Sequence, residues 1–211
     1  MTSSLQSHPD VIAEGEKLVH LRGRAQRQWV MGLLDTGKRS GAVAVGFKTK
    51  LKDVDDHREF TELIREHEFR IILMTRRNTL KLAISTLNAR RLFEHRGQWN
   101  LQHGDAGLPP MRLERTQLMA CIEVCETKEA ELRSFVANLS LKQFVLDYDD
   151  LRGHPKQEMD NVLQFLEAPS LPLQSNVKKN TSDNLSEAIE NFDEVQHWLL
   201  GTPYEAMIGG T

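Results

Sequence analysis

An α/β fold with a mostly parallel β-sheet flanked by helices is the fold class this sequence predicts, on three observations. Residues 42–47, 70–75 and 144–148 are short, apolar and β-favouring. Each run is nearly continuous in apolarity and ends in polar residues, as strands buried on both faces of a parallel sheet do. Helical periodicities lie between the runs, and alternating strands and helices make an α/β architecture.

In order along the chain, residues 59–67 carry Phe60, Leu63 and Ile64 on one helical side. Residues 78–93 carry Leu80, Ala83, Ile84, Leu87 and Leu92, and residues 115–139 carry Leu118, Ile122, Cys125, Leu132 and Phe135. Pro155 suits the first turn of a helix. The stripe Met159, Val162, Leu163 and Leu166 follows it. A last helix is expected over about 185–200. Residues 97–110 contain Gly97, Gly104, Gly107 and Pro109-Pro110. They read as a long loop, a feature that usually carries function or mobility. A second irregular stretch, 168–183, contains Pro169, Pro172 and Lys178-Lys179. No repeat and no linker appears, so one domain over 1–211 is expected.

The length of 211 residues suits one ordinary domain. Lys plus Arg is 27 and Asp plus Glu is 30, a net charge of −3 that argues against non-specific nucleic-acid binding. A 39% hydrophobic and 27% charged chain is globular rather than disordered. No stretch approaches the ~18 apolar residues of a membrane span. The first residues lack the basic and apolar regions of a signal peptide. A soluble cytoplasmic protein with no nucleic-acid partner is the expectation.

Cys121 and Cys125 are spaced to share one helix face and do not form C-x-x-C. They read as small apolar residues on a packed face. The histidines form no H-E-x-x-H or H-x-H pattern, so no metal site is expected. His67, between Glu66 and Glu68, reads as part of a solvated helix.

Ligands of open parallel sheets bind beyond the carboxyl ends of the strands. The three runs are followed or closed by Lys48-Thr49-Lys50, by Arg76-Arg77-Asn78 and by Asp147-Tyr148-Asp149-Asp150. Two of these ends are basic. Arginines opening a helix add to its positive pole and free N–H groups, which invites a phosphate or sulfate. Ser85 lies about two helical turns past Arg77. It either sets a hydroxyl beside a phosphate held by Arg77 or is an ordinary small helix residue.

The run 70–85, with Arg77-Asn78 after the strand and Ser85 eight residues on, resembles the 3′-phosphate-binding segment of sulfotransferases. Residues 145–155 and then 162–167, with Tyr148-Asp149-Asp150-Leu151 and Phe165-Leu166, resemble that family's Tyr-acid-acid-Leu element and next helix. The tail from Lys178-Lys179-Asn180-Thr181-Ser182 through Phe192 is similar to the C-terminal segment of bacterial carbohydrate sulfotransferases. So is the start, Ser7-His8-Pro9 through Gly15-Glu16. Each motif alone is common; four in this order are specific. They cover nearly the whole chain.

The resemblance implies a P-loop-NTPase-like sulfotransferase fold. It implies sulfuryl transfer from 3′-phosphoadenosine 5′-phosphosulfate (PAPS), without a metal, to an acceptor hydroxyl on a small molecule, carbohydrate or glycolipid. By the same resemblance Arg77 and Ser85 hold the 3′-phosphate and Tyr148 lies near the adenine. Lys178 or Lys179 takes the place of the basic C-terminal phosphate contact, with Lys-Lys-Asn where Arg-Lys-Gly is commoner. Glu16, ahead of Glu14, is the base, a role a raised pKa would serve. Lys48 matches a Lys at the strand end. Lys50 stands where the small-molecule branch carries its catalytic His, which disfavours a phenol or steroid acceptor.

The family's first strand and its P-loop-like Arg-Ser-Gly-Ser loop have no counterpart ahead of His8-Pro9. Met1 falls inside the helix expected to follow that loop. Lys38-Arg39-Ser40-Gly41 precedes a strand, lacks the G-x-x-x-x-G-K-[ST] pattern and reads as a polar turn. A domain incomplete at its N-terminus is the expectation, and lacking that strand would leave sheet edges unpaired. Two other readings stand beside transfer. One is a non-catalytic nucleotide-binding remnant. The other is a metal-dependent nucleotide-sugar transferase, with Asp147 and Asp149 as an Asp-x-Asp pair for Mn²⁺ or Mg²⁺. Residues 97–110 and 20–29 would bind the acceptor. Trp29 and Trp99 suit stacking on a sugar or ordinary packing.

Overall fold

A computed structural model of the chain describes residues 1–102, 104–174, 177–178, 181–182 and 184–209. The elements run α1 (Thr2–Leu5), β1 (Val11–Glu14), α2 (Arg24–Ser40), β2 (Ala44–Phe47), α3 (His57–Glu66), β3 (Ile71–Thr75), α4 (Thr79–Arg96) and β4 (Leu101–Gln102). Then follow α5 (Arg115–Ala137), β5 (Gln143–Asp147), α6 (Tyr148–Gly153), α7 (Pro155–Phe165), β6 (Val177–Lys178), α8 (Leu185–Ala188) and α9 (Phe192–Leu199). The class is α/β, as expected. Among the described residues no helix is long and apolar enough to cross a membrane.

The chain divides into two compact units. The first comprises residues 1–74, 132–146 and 150–175. In it β1 and β2 pair in parallel, in the register Val11↔Ala44 through Glu14↔Phe47. β3 and β5 form a second ladder. The expected sheet is therefore met as separate ladders, and what they share is apolar packing. Val11, Ala13 and Ala44 join Ile72, Phe144 and Leu146 against Met159, Val162 and Leu163 of α7. A second cluster gathers Leu18, Val30, Val54 and Leu63, with Phe47 meeting Trp29, Phe60 and Phe69 edge-on.

Two elements of this unit are absent from the sequence reading. β1 is four residues between Pro9-Asp10 and Gly15, too short for its period to register. α2 buries Gln26, Val30, Leu33 and Gly37, an i, i+4, i+7, i+11 stripe whose ends are not apolar side chains. Lys38-Arg39-Ser40-Gly41 is not a free polar turn. It is the last turn of α2, and Gly41 closes it at φ 71°, a left-handed conformation that glycine adopts without strain. α3 starts where the Asp56 carboxylate accepts the Arg58 and Glu59 N–H groups at 2.9 Å. Its end departs from the solvated reading of His67, whose Nε2 is buried with no hydrogen-bond partner.

The second unit comprises residues 75–131, 147–149 and 176–211. Its core joins Leu80, Ala83, Ile84 and Leu87 of α4 to Leu118, Cys121, Ile122 and Cys125 of α5, with Leu185, Ile189, Val195 and Leu199. The two cysteines are free and buried. The expected helix over 185–200 is broken. Ile189 bridges Met111, and Asn191 pairs with the Leu113 backbone, accepting its N–H at 2.9 Å and donating to its carbonyl at 3.0 Å. Strand-like pairing with 111–113 thus outbids helix continuation between α8 and α9. The 97–110 loop carries β4, antiparallel to β6.

Candidate anion-binding sites at the strand ends

In the second unit, the turn from β3 into α4 meets the end of β5 through Asp147. Its Oδ2 accepts the Arg77 N–H at 3.1 Å and the Thr75 hydroxyl at 3.4 Å, while Oδ1 accepts the Asp149 N–H at 2.9 Å. The Arg77 guanidinium lies 3.6 Å from Oδ1, and its side chain is 64% exposed. Arg76 has the opposite fate. It is buried, 4.6 Å over the Tyr148 ring and 3.6 Å from Asp149, and it donates to the Lys81 carbonyl at 3.3 Å. A guanidinium over an aromatic face and beside a carboxylate is held by cation–π and ionic attraction.

Asn78 caps α4. Its side-chain oxygen accepts the Lys81 N–H at 2.8 Å, and its amide donates to the Met207 carbonyl at 2.9 Å. Its own N–H points to Asp149 at 3.5 Å. The helix start therefore differs from the open, N–H-rich pole expected. Carboxylates of the chain already face it, where negative charge is favourable.

Of the residues expected to share a site, Arg77 and Tyr148 come together through Asp147 and Arg76. Tyr148 opens α6 rather than ending a strand, and Arg76 covers one face of its ring. Ser85 is half-buried on α4, about 9 Å along the axis from Thr79 at 1.5 Å per residue. The Lys178 backbone lies in β6, and Lys179 lies outside the described residues. Two participants escaped the sequence reading. In the sequence Asp147 reads only as a metal ligand, and Lys81 belongs to no motif. Lys81 is 6% exposed, which is rare for a lysine, and its signal was a cation between Leu80 and Leu82 on an apolar helix.

In the first unit, the parallel register sets a second cluster. The Lys48 N–H donates to the Glu14 carbonyl at 2.9 Å and so extends the β1–β2 ladder by one bond. Lys48 and Lys50 then stand just past β2, and Glu16 just past β1. The Lys48 ammonium is 2.6 Å from Glu16 Oε1 and the Lys50 ammonium 2.7 Å from Oε2. Partial burial pushes the Glu16 carboxyl up, but the hydrogen bonds and charges of the two lysines outweigh that and hold it below the usual range. The raised value that would suit a base is not found in this arrangement.

Trp29 and Trp99 separate clearly. Trp29 packs edge-on against Phe47 at 5.3 Å. Trp99 is exposed and stacked on Phe93 at 4.5 Å with 13° between the planes. Among the described residues, no group of three or more His, Cys, Asp or Glu side chains is arranged to hold a metal ion.

No family model matches the chain. The chain is 27% identical over 152 residues, 69% of its length, to Nodulation protein H of Rhizobium meliloti (strain 1021). A match of the same extent is found to Nodulation protein H of Rhizobium meliloti. The chain spans 58% of the length of these curated relatives and is similar in sequence to that part of them.

Proposed function

We propose that the chain belongs to a system that transfers a sulfuryl group from PAPS to an acceptor hydroxyl, on a carbohydrate or glycolipid. The observation that carries this reading is the exposed Arg77 guanidinium, positioned by Asp147 at the opening of α4. The likeness to Nodulation protein H supports a sulfotransferase relationship at that coarse level.

In this reading Arg77 and Ser85 bind the 3′-phosphate of the donor, with Tyr148 near the adenine and Lys178 or Lys179 as a further phosphate contact. Glu16, ionised at neutral pH, takes the proton of the acceptor hydroxyl. The acceptor oxygen forms the new bond to sulfur as the bond from sulfur to the 5′-phosphate oxygen breaks. Lys48 takes the place of the family's strand-end lysine. Such transfer depends on in-line positioning and on cations placed where charge develops. A metal-dependent reading through Asp147 and Asp149 is less well supported, because both carboxylates already hold N–H groups and arginines of the β3–α4 turn.

Calorimetric titration with adenosine 3′,5′-bisphosphate tests the reading. The full chain should bind it, and Arg77→Glu should abolish binding without lowering the melting temperature by more than a few degrees. Equal affinity of the two proteins would overturn the assignment.

A further inference from the structure

The pairing of Glu16 has a geometry that a simple surface ion pair lacks. Each carboxylate oxygen is taken by a different ammonium, Oε1 by Lys48 at 2.6 Å and Oε2 by Lys50 at 2.7 Å. Both lysine side chains remain about half exposed, 51% and 52%, while Glu16 is 27% exposed. Two cations thus bracket one anion, open to solvent on the lysine side. The two lysines are the charged groups that face the Glu16 carboxylate. Each ammonium carries three donors, so oxygens of another anion can be offered the same hydrogen bonds. A tetrahedral oxyanion presents oxygens at similar spacing, with one negative charge on a donor's sulfonate and two on inorganic sulfate.

We propose that Lys48 and Lys50 form an exchangeable oxyanion site in which Glu16 is the resident anion, and that the donor's sulfonate displaces it. The identity of the natural oxyanion rests on the sulfuryl-transfer reading; the exchange requires only a tetrahedral oxyanion. Displacement has a chemical consequence. With the site empty, two ammoniums stabilise the Glu16 carboxylate and weaken it as a base. Once an oxyanion takes the lysines, Glu16 loses those bonds and faces a new negative charge. Both changes favour its protonated form, so its basicity rises. The base is thereby strengthened only when the donor is seated, and no proton is drawn from the acceptor before the sulfur is in place.

The test uses the full chain, inorganic sulfate, and ¹³C NMR of the side-chain carboxyls, with the Glu16 signal assigned by its loss in E16Q. Sulfate should move that signal saturably and raise the pH at which it titrates. E16Q, which no longer holds a competing anion, should bind sulfate roughly three- to thirtyfold more tightly than the unaltered chain. In the K48M/K50M double variant the Glu16 signal should titrate at higher pH from the outset and ignore sulfate. If that variant does not fold, the first two measurements decide. An unmoved Glu16 signal, no sulfate binding, or equal or weaker binding by E16Q would overturn the proposal. Adenosine 3′,5′-bisphosphate binding at Arg77 is a separate measurement. Its persistence alongside a failed exchange sinks only the exchange, and its loss sinks the transfer reading.

Discussion

Asp147→Ala is the most informative single perturbation of the strand-end site. Asp147 is 8% exposed and holds two backbone donors, Arg77 N–H at 3.1 Å and Asp149 N–H at 2.9 Å. The Thr75 hydroxyl at 3.4 Å adds a weaker bond, and the exposed Arg77 guanidinium at 3.6 Å adds little, because solvent screens it. A buried donor that loses its partner costs about 1–3 kcal/mol. Two backbone N–H groups at the margin of burial, partly rescued by water, set the expected loss at about 2–4 kcal/mol. Asp147→Asn keeps one oxygen acceptor and should lose roughly half as much. Urea unfolding, followed by the fluorescence of Trp99 and Trp198 of the same unit, measures both. The order should be unaltered chain, then Asn, then Ala. Asp147→Ala within about 0.5 kcal/mol of the unaltered chain would refute the view that this carboxylate fastens the turn presenting Arg77.

Other perturbations report on other parts of the molecule. A Cβ at Gly37 would lie 2.8 Å from Val45 Cγ1 and 2.9 Å from its Cβ, so Gly37→Ala should destabilise by about 1–2 kcal/mol despite better helix propensity. Adding Val45→Ala should recover part of that loss in the same urea assay, whereas strictly additive losses would count against the contact. The folded carboxyl of Glu16 lies below its ordinary 4.5, so its contribution is present above that value and lost as pH falls through the folded value. The acid limb of a melting-temperature profile should therefore be shallower in E16Q. Burial, then the neighbouring Cys125, push the Cys121 thiol up to about 11 from 9.0. Its alkylation by iodoacetamide at pH 8 should be roughly a hundredfold slower in the folded chain than in urea. The same shift means that its stabilising effect holds below 9.0 and is lost as pH rises toward 11.

Much of this molecule was legible in its residue order because the signals are local. The runs at 70–75 and 144–148 fall on the strands Ile71–Thr75 and Gln143–Asp147, Pro155 opens a helix, and α4 and α5 carry the apolar stripes their periodicity demanded. The basic residues after β2 and β3 were also readable, since strand ends are where polar residues interrupt apolar runs. What escaped was set by partners far along the chain. β1 is four residues long and exists because β2 offers it a parallel ladder. The C-terminal helix breaks at Ile189 because Met111 and Leu113 offer backbone pairing that a helix would forgo.

The sequence by itself determined the α/β class, the helical cores and the presence of cations at two strand ends. Only the tertiary structure decided what each charge does. Neighbouring Arg76 and Arg77 look equivalent in the sequence, yet one is buried over Tyr148 and the other is exposed beside Asp147. Glu16 lies more than thirty residues from Lys48 and Lys50, and the parallel register of β1 and β2 brings the three together. Periodicity encodes which face of an element is apolar. The role of a charge depends on burial and on the counter-charge brought to it, and those are properties of the folded chain.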